Sequence, residues 1–216
     1  LLLYFNHRGS WRTGGFNGTS TDLVGGVLVP NQFKPETTYD FEIGAKLAGN
    51  LGPIPARLNI ALYDQYVKNV QRTVYIDITA VSGNVNKARV TGAEIDGSFD
   101  LTPWLQVGGA FSLPFGPYAD SPKYSGSAFF RAKADLANDA GEVALRGDLY
   151  AQSSTYYTNL ADTLTPDTKL PGYGILNGRL EWNRILGSDV SAAAYIRNIT
   201  DKHYYAGGLG VGAVIG

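Results

Sequence analysis

Cysteine and methionine are both absent from the 216 residues, and histidine occurs only twice. Without cysteine there is no disulfide framework, no thiolate zinc site and no cysteine nucleophile, although the compartment stays open. A chain that begins Leu1-Leu2-Leu3 and holds no methionine is expected to be a fragment whose start has been removed. An excess of either charge is also lacking: 18 Lys+Arg stand against 19 Asp+Glu. Phosphate-binding domains usually carry a basic excess, so nucleic acid is not an expected partner. Long apolar runs are missing too. The longest, such as Leu1 to Phe5, fall far short of the ~20 residues of a membrane-spanning helix, and no charged-then-apolar signal peptide opens the chain. A helical membrane protein is excluded. A β-barrel is not, because its strands need only ~9–11 residues and alternate apolar with polar, which average hydropathy hides.

That alternation is present. Tyr39, Phe41, Ile43, Ala45 and Leu47 form an apolar row, with Thr38, Asp40, Glu42 and Lys46 between them, the period of a strand with one polar face. After the turn signal Asn50-Leu51-Gly52-Pro53, Leu58, Ile60 and Leu62 oppose Arg57, Asn59 and Gln65. Downstream, Ile95 and Phe99 oppose Glu94, Asp96 and Asp100, and Leu105, Val107 and Phe111 follow the turn at Pro103-Trp104. Phe130, Ala132 and Ala134 oppose Arg131, Lys133 and Asp135; beyond Asn138-Asp139-Ala140-Gly141, Leu145 and Leu149 oppose Arg146 and Asp148. Finally Leu176, Leu180 and Trp182 oppose Asn177, Arg179 and Glu181, and Ala192, Ala194 and Ile196 oppose Tyr195 and Arg197.

With the opening segment, Leu2 to Arg8, this pattern predicts about nine antiparallel strands whose connections alternate between short and long. Short turns fall near 49–54, 101–104, 138–141 and 186–189, and long connections near 9–35, 69–87, 113–123 and 157–171, with another beginning at 207. Within the second long connection, Arg72 to Ile78 alternates as well, predicting a strand that continues to a tip at Ser82-Gly83-Asn84. A soluble sandwich or propeller and an outer-membrane barrel both fit regular hairpins with one polar face. Mixed charge on the polar rows is neutral between them. Apolar rows thin in bulk, rich in Ala and Gly, favour the barrel over an interdigitated sandwich core. So does the gathering of Tyr39, Tyr63, Tyr66, Trp104, Tyr124, Tyr156, Tyr157, Tyr173, Tyr204 and Tyr205 near strand ends, where amphipathic rings meet lipid headgroups. The expected fold is an all-β, antiparallel transmembrane β-barrel, present in part.

Four segments carry a family resemblance. Tyr4-Phe5-Asn6-His7-Arg8-Gly9-Ser10-Trp11-Arg12-Thr13-Gly14-Gly15-Phe16-Asn17 resembles a strand-to-loop segment midway through TonB-dependent outer-membrane receptors. Pro35-Glu36-Thr37-Thr38-Tyr39-Asp40-Phe41-Glu42-Ile43-Gly44-Ala45-Lys46 resembles the family's "PE…YE.G.K" strand, and Asn86-Lys87-Ala88-Arg89-Val90-Thr91-Gly92-Ala93-Glu94-Ile95-Asp96 its "N…G.E.E" strand. Tyr195-Ile196-Arg197-Asn198-Ile199-Thr200-Asp201-Lys202-His203-Tyr204-Tyr205 is similar to the "N-L-x-D-x-x-Y" near the family's C-terminus. The four occur in the family's order. The resemblance implies a plugged barrel of 22 strands, of which residues 1–216 are expected to be the C-terminal part, with the plug domain, the first barrel half and the closing strand outside them. It implies an energy-coupled receptor of the Gram-negative outer membrane, foremost for a ferric siderophore, with cobalamin, haem, other metal chelates or a glycan as other ligand classes. Its implied partners are the TonB complex, acting through the plug, the outer-membrane lipid and a small ferric chelate. A monomer is expected, and neither enzymatic activity nor a cofactor. A passive porin-like channel, and a soluble carbohydrate-binding or hydrolytic β-protein, are the competing readings.

Residues with reactive or ligating side chains are few. Glu94 with Asp96, and Asp40 with Glu42, place two carboxyls on one strand face, but without a facing cleft such pairs read as a solvated wall rather than an acid/base couple. His7 and His203 have no second ligand at short spacing, so no metal site is expected. Gly208-Leu209-Gly210-Val211-Gly212 lacks the G-x-G-x-x-G register and reads as a loop; the sequons at Asn17 and Asn198 are discounted. What remains is a lumen row of Glu42, Lys46, Arg57, Glu94, Asp96, Arg131, Lys133, Arg146, Asp148, Arg179, Glu181 and Arg197. The expected role of these charges is pairing across neighbouring strands, with contact to the plug or guidance of an anionic ligand as the alternative. Guidance of an anionic chelate would use Arg131, Lys133, Arg179 and Arg197. Outer-loop candidates are Trp11, Arg12, Phe16, Tyr118, Tyr124, Tyr156 and Tyr157, because aromatics and Arg anchor binding surfaces.

Overall fold

The structure is a computed structural model that describes residues 1–76, 79–116, 121–156 and 169–207. Among these described residues thirteen strands form in chain order: β1 (Leu2–Arg12), β2 (Gly15–Val24), β3 (Val27–Phe33), β4 (Glu36–Leu51), β5 (Ile54–Ile76), β6 (Thr79–Thr102), β7 (Leu105–Pro114), β8 (Ser125–Asp135), β9 (Glu142–Gln152), β10 (Thr155–Tyr156), β11 (Lys169–Leu170), β12 (Tyr173–Asn183) and β13 (Ala192–Ile196). Nine of them make one antiparallel sheet in the order β1-β4-β5-β6-β7-β8-β9-β12-β13, while β2-β3 and β10-β11 are separate two-stranded ribbons inserted into long connections. The nine-strand meander is the wall that the alternation predicts. The expected loop lies outside the described residues from 208 onward, as do Tyr118, Tyr157 and much of the 157–171 connection.

Register puts each strand's apolar row beside its neighbour's. Phe5 lies opposite Ile43, Ile43 opposite Leu62, and Leu62 opposite Ala93; two residues further along, Ala45, Ile60, Ile95 and Phe111 form the next row. These side chains are exposed: Ile43 to 59% and Phe41 to 41%. The polar side is more occluded, with the Asp40 and Glu42 side chains 15% and 20% exposed. That is the reverse of a water-soluble fold. Among the described residues the buried apolar side chains are only Ala56, Val70, Val81 and Ala144, no core to hold a sandwich together. The large residues face the other way, into a medium that the chain does not supply. The stretch from Tyr39 to Leu51, at ~3.3 Å per residue and a tilt of ~45°, rises ~28 Å, close to the ~25 Å apolar band of an outer-membrane barrel.

Short turns end the strands on one side. Gly52 at φ +64° followed by Pro53 fits a two-residue type II′ turn between Leu51 and Ile54. Two such turns brace each other, because the Ala140 carbonyl accepts the indole N–H of Trp182 at 2.8 Å and the backbone N–H of Leu186 at 3.2 Å. Across four seams of the wall an aromatic ring lies over the glycine directly opposite it: Tyr4 over Gly44, Tyr63 over Gly92, Phe129 over Gly108 and Phe130 over Gly147. A Cβ on any of these glycines would collide with the ring. This is the aromatic rescue of strand glycine.

On the other side two hairpins rise together. The 9–35 segment is not loop throughout: β1 runs on to Arg12, and β2 pairs with β3 across a Gly25-Gly26 turn, where Val27 and Val29 favour extended backbone. The second hairpin reverses earlier in the chain than predicted. Its pairing runs to Ile76 with Thr79, before the expected tip, and Ser82-Gly83-Asn84 instead lie along β6 opposite Thr73, Arg72 and Gln71. The pairing continues because Val70, Thr73, Val74 and Tyr75 on one strand, and Val81 and Val85 on the other, favour extended backbone and carry Ser82-Gly83-Asn84 along with them. Asn17, 9% exposed, joins the two: its Nδ2 donates to the Ser82 carbonyl at 2.7 Å and its Oδ1 accepts the Ser82 N–H at 2.8 Å. Asn84 adds bonds to both backbone groups of Lys34.

Candidate functional site

Eleven of the twelve predicted lumen residues belong to the polar side of the wall by register, with Arg197 just past the end of β13, and neighbouring strands bring many of them together. The densest group spans β8, β9 and β12. Arg131 Nη2 reaches Glu142 Oε1 and Glu181 Oε2, each at 3.3 Å; Lys133 lies 3.6 Å from Glu142, and Arg179 Nε 2.7 Å from Glu181. One guanidinium thus bridges two carboxylates on separate strands, an arrangement that planar, multi-donor Arg supports and Lys does not. Ala144, opposite Lys133 and Glu181, is buried beneath these side chains. On β9, Arg146 pairs with Asp148 at 2.6 Å and its guanidinium sits 4.3 Å over the Phe129 ring.

A second group joins β1 to β4. Arg8 donates Nε to Asp40 at 2.7 Å and Nη2 to Glu42 at 2.7 Å. Lys46 stacks over Tyr4 at 5.2 Å. Between the two groups the wall is acidic and hydrogen-bonded to amides and a hydroxyl: Asn59 to Asp96, Gln106 to Asp100, and Ser112 to Glu94. Glu94 and Asp96 therefore sit in a polar wall, and among the described residues no group of three His, Cys, Asp or Glu is arranged to hold a metal ion. A hollow of about 520 Å³ opens beside the short turns, with Asp100, Gln106, Arg131 and Lys133 on its polar side and Trp104 at its rim.

The other candidates scatter. Arg12 ends β1 opposite Glu36, while Trp11 points from the apolar side, exposed to 74%. Phe16 stands exposed on β2 opposite Gln32. Tyr156 lies on β10 opposite Lys169; Arg197 lies one residue past β13, 5.5 Å from the Tyr195 ring. The aromatic girdle also divides. Tyr39, Tyr66 and Tyr124 are on the apolar side, joined by Trp182 at the other edge, but Tyr63 covers Gly92 on the polar side, and Tyr173 packs there between Tyr150 and Tyr204. Sequence parity assigns Tyr63 and Tyr173 to the polar face, a stronger signal than closeness to a strand end.

The Asn198 motif has a structural task. Asn198 Oδ1 accepts the Lys202 N–H at 2.9 Å and its Nδ2 donates to the Lys202 carbonyl, while its own N–H is held by Asn177 Oδ1. Asn198 and Asp201 both adopt left-handed φ, which Asn and Asp tolerate. The turn they make sets Tyr204 against Tyr173, ring centroids 4.4 Å apart.

The family model for the TonB dependent receptor-like beta-barrel matches residues 1–199. No curated protein matches the chain in sequence. Among solved structures, the ferric yersiniabactin uptake receptor FyuA from Yersinia pestis superimposes with a TM-score of 0.71 at 16% identity, over 94% of this chain and 30% of that one. The copper transporter OprC gives 0.69 at 16%, over 94% and 32%, and the ferric preacinetobactin receptor BauA from Acinetobacter baumannii 0.68 at 16%, over 94% and 30%. At such identity the likeness is one of fold, and the chain spans about a third of those proteins' length. The inverted wall, its polar inner row and the family match over nearly its whole length agree: this chain belongs to the TonB-dependent receptor β-barrel family of the Gram-negative outer membrane.

Proposed function

We propose that these residues are the later part of a 22-stranded wall of an active-transport receptor that takes up a ferric siderophore. Energy would arrive from the inner membrane through a plug domain outside residues 1–216. The observation that carries the reading is the charge-lined inner face between two hairpins at one end and a polar hollow at the other. Such a face wets a passage and guides an anionic chelate, while the family's members are transport receptors rather than enzymes. The ferric-chelate receptors among the structural neighbours support this ligand class. The copper transporter among them points to copper instead. Against that, this segment contains neither cysteine nor methionine, the ligands that select copper(I).

Within this reading Arg12, Phe16 and Tyr156 are ligand contacts at the outer end, and Arg131, Lys133, Arg179 and Arg197 line the way through. Trp11, on the lipid side, anchors the wall. The test is uptake of an iron-labelled chelate by iron-starved cells carrying the full-length receptor. Uptake should stop when the inner-membrane coupling protein is deleted. Uptake that persists unchanged overturns active transport in favour of a passive channel.

A further inference from the structure

The apolar side of the wall carries charges near the hairpin end that the lumen does not account for. Lys68 on β5 lies directly opposite Lys87 on β6, both exposed, and Thr37 and Trp11 continue the same row across β4 and β1. The row beneath holds Tyr39, Tyr66 and Arg89, and the one below that Phe41, Asp64 and Thr91. Only then does the continuous apolar band begin, at Ile43, Leu62 and Ala93. Arg89 is committed: its guanidinium makes two 2.8 Å bonds to Asp64 and stacks 4.8 Å over Tyr66. The lysines are not. Lys68 leans over Tyr39 at 5.3 Å, and among the described residues neither lysine has a carboxylate partner.

Two like charges directly opposite on adjacent strands destabilise a sheet unless an anion lies between them. Side chains at such positions leave the backbone ~4.5–5.5 Å apart, so both ammonium groups can reach one phosphate. Their height completes the argument. They stand one row above two tyrosines that mark the headgroup level and on the side that faces lipid. We propose that Lys68 and Lys87 form a site for the phosphate of a phosphorylated lipid headgroup in the outer leaflet. Tyr39 and Tyr66 support it at the interface, and Trp11 flanks it. This site rests on the family's barrel orientation, not on the identity of the transported ligand.

The experiment uses the full-length receptor in nanodiscs of phosphatidylcholine doped with phosphatidic acid, with diacylglycerol doping as the dephosphorylated arm. Bound lipid is counted by native mass spectrometry. Phosphatidic acid should be retained in preference to diacylglycerol, and added inorganic phosphate at equal concentration should not displace it. The K68Q/K87Q pair should weaken retention about ten- to thirtyfold, the loss expected for two basic residues at an anionic membrane surface. K87E should abolish it too, while heat-modifiable gel mobility stays intact or shifts to higher temperature, because the introduced carboxylate pairs with Lys68. Unchanged retention in either variant overturns the site, as does equal retention of diacylglycerol or displacement by inorganic phosphate. Chelate uptake by K68Q/K87Q should match wild type; loss of uptake with lipid retained would overturn the site and assign these lysines to transport.

Discussion

Placing arginine at Ile60 separates the membrane wall from any water-soluble alternative. Ile60 lies opposite Ala45, midway between Tyr39 and Leu51, so its row falls near the bilayer midplane, with Ile95 on the other side. On a lipid-facing barrel surface Arg at the midplane costs about 2–4 kcal/mol, which is roughly a 30- to 700-fold shift in the folding equilibrium. If the same face met water, Ile60, already 42% exposed, would tolerate Arg within about 0.5 kcal/mol. The matched control is Asn59→Arg, one residue away on the polar side. There the new guanidinium faces Asp96, which now accepts a 2.8 Å bond from Asn59, and the change should stay within about 1 kcal/mol. Urea unfolding of the full-length receptor in phospholipid vesicles, followed by heat-modifiable gel mobility and tryptophan fluorescence, measures both. Equal costs for the two variants, or a larger cost at Asn59, would refute the assignment of faces.

Asn17→Ala removes both bonds to Ser82 and should free the β2–β3 ribbon without loosening the wall; limited proteolysis near Gly25-Gly26 should quicken several-fold at an unchanged melting temperature, and an unchanged cleavage rate counts against the clamp. A double-mutant cycle of Arg131→Met with Glu181→Gln should show about 0.5–1.5 kcal/mol of coupling, kept modest by the partial exposure of both side chains; additive effects would show the pair to be incidental. Gly44→Ala should cost about 1–3 kcal/mol by displacing the Tyr4 ring, Gly83→Ala in open space should not, and Tyr4→Leu should relieve the first. Expressed alone in detergent, residues 1–216 should lack heat-modifiable mobility, because β1 and β13 each leave one edge unpaired in the described sheet and lipid cannot satisfy those groups; a protease-resistant, heat-modifiable band would contradict this.

The wall was legible because strand period and lipid exposure write the same signal. Alternation at Tyr39 to Leu47 or Arg131 to Ala134 fixes both the strand and its face, and every lumen charge inferred that way within a paired strand lies on the polar side. What escaped was long-range or unpatterned. Nothing local in 15–33 marks a ribbon as firmly as a wall strand, since no buried apolar row is found among its described side chains and it leans on Asn17 and Asn84, whose partners are 65 and 50 residues away. Asp64, Lys68, Lys87 and Arg89 fall by parity on the apolar side, yet a charged residue is normally read as facing the wet side, so composition masks their position. The Arg131 bridge could be anticipated only as a set of charges, because register between β8, β9 and β12 decides which of them meet.

The aromatic rings lying on glycines bear on how wide a barrel this wall belongs to. A slip of one residue between strands flips every side chain, and the two-sided chemistry of the wall rejects it. A slip of two residues keeps apolar facing apolar, so alternation is blind to it. Such slips change the cumulative stagger, and with it the strand tilt and the diameter at closure. Where strands are joined by a short turn, as at Gly52-Pro53, the turn sets the offset. The β1–β4 and β7–β8 seams are joined only by longer connections, and each carries a key, Tyr4 on Gly44 and Phe129 on Gly108; Tyr63 on Gly92 adds one inside the β5–β6 hairpin. Shifted by two, Tyr4 would meet Glu42 or Lys46 in place of bare backbone. Those glycines act as gauge marks, and the bore of the finished pore is set where they sit.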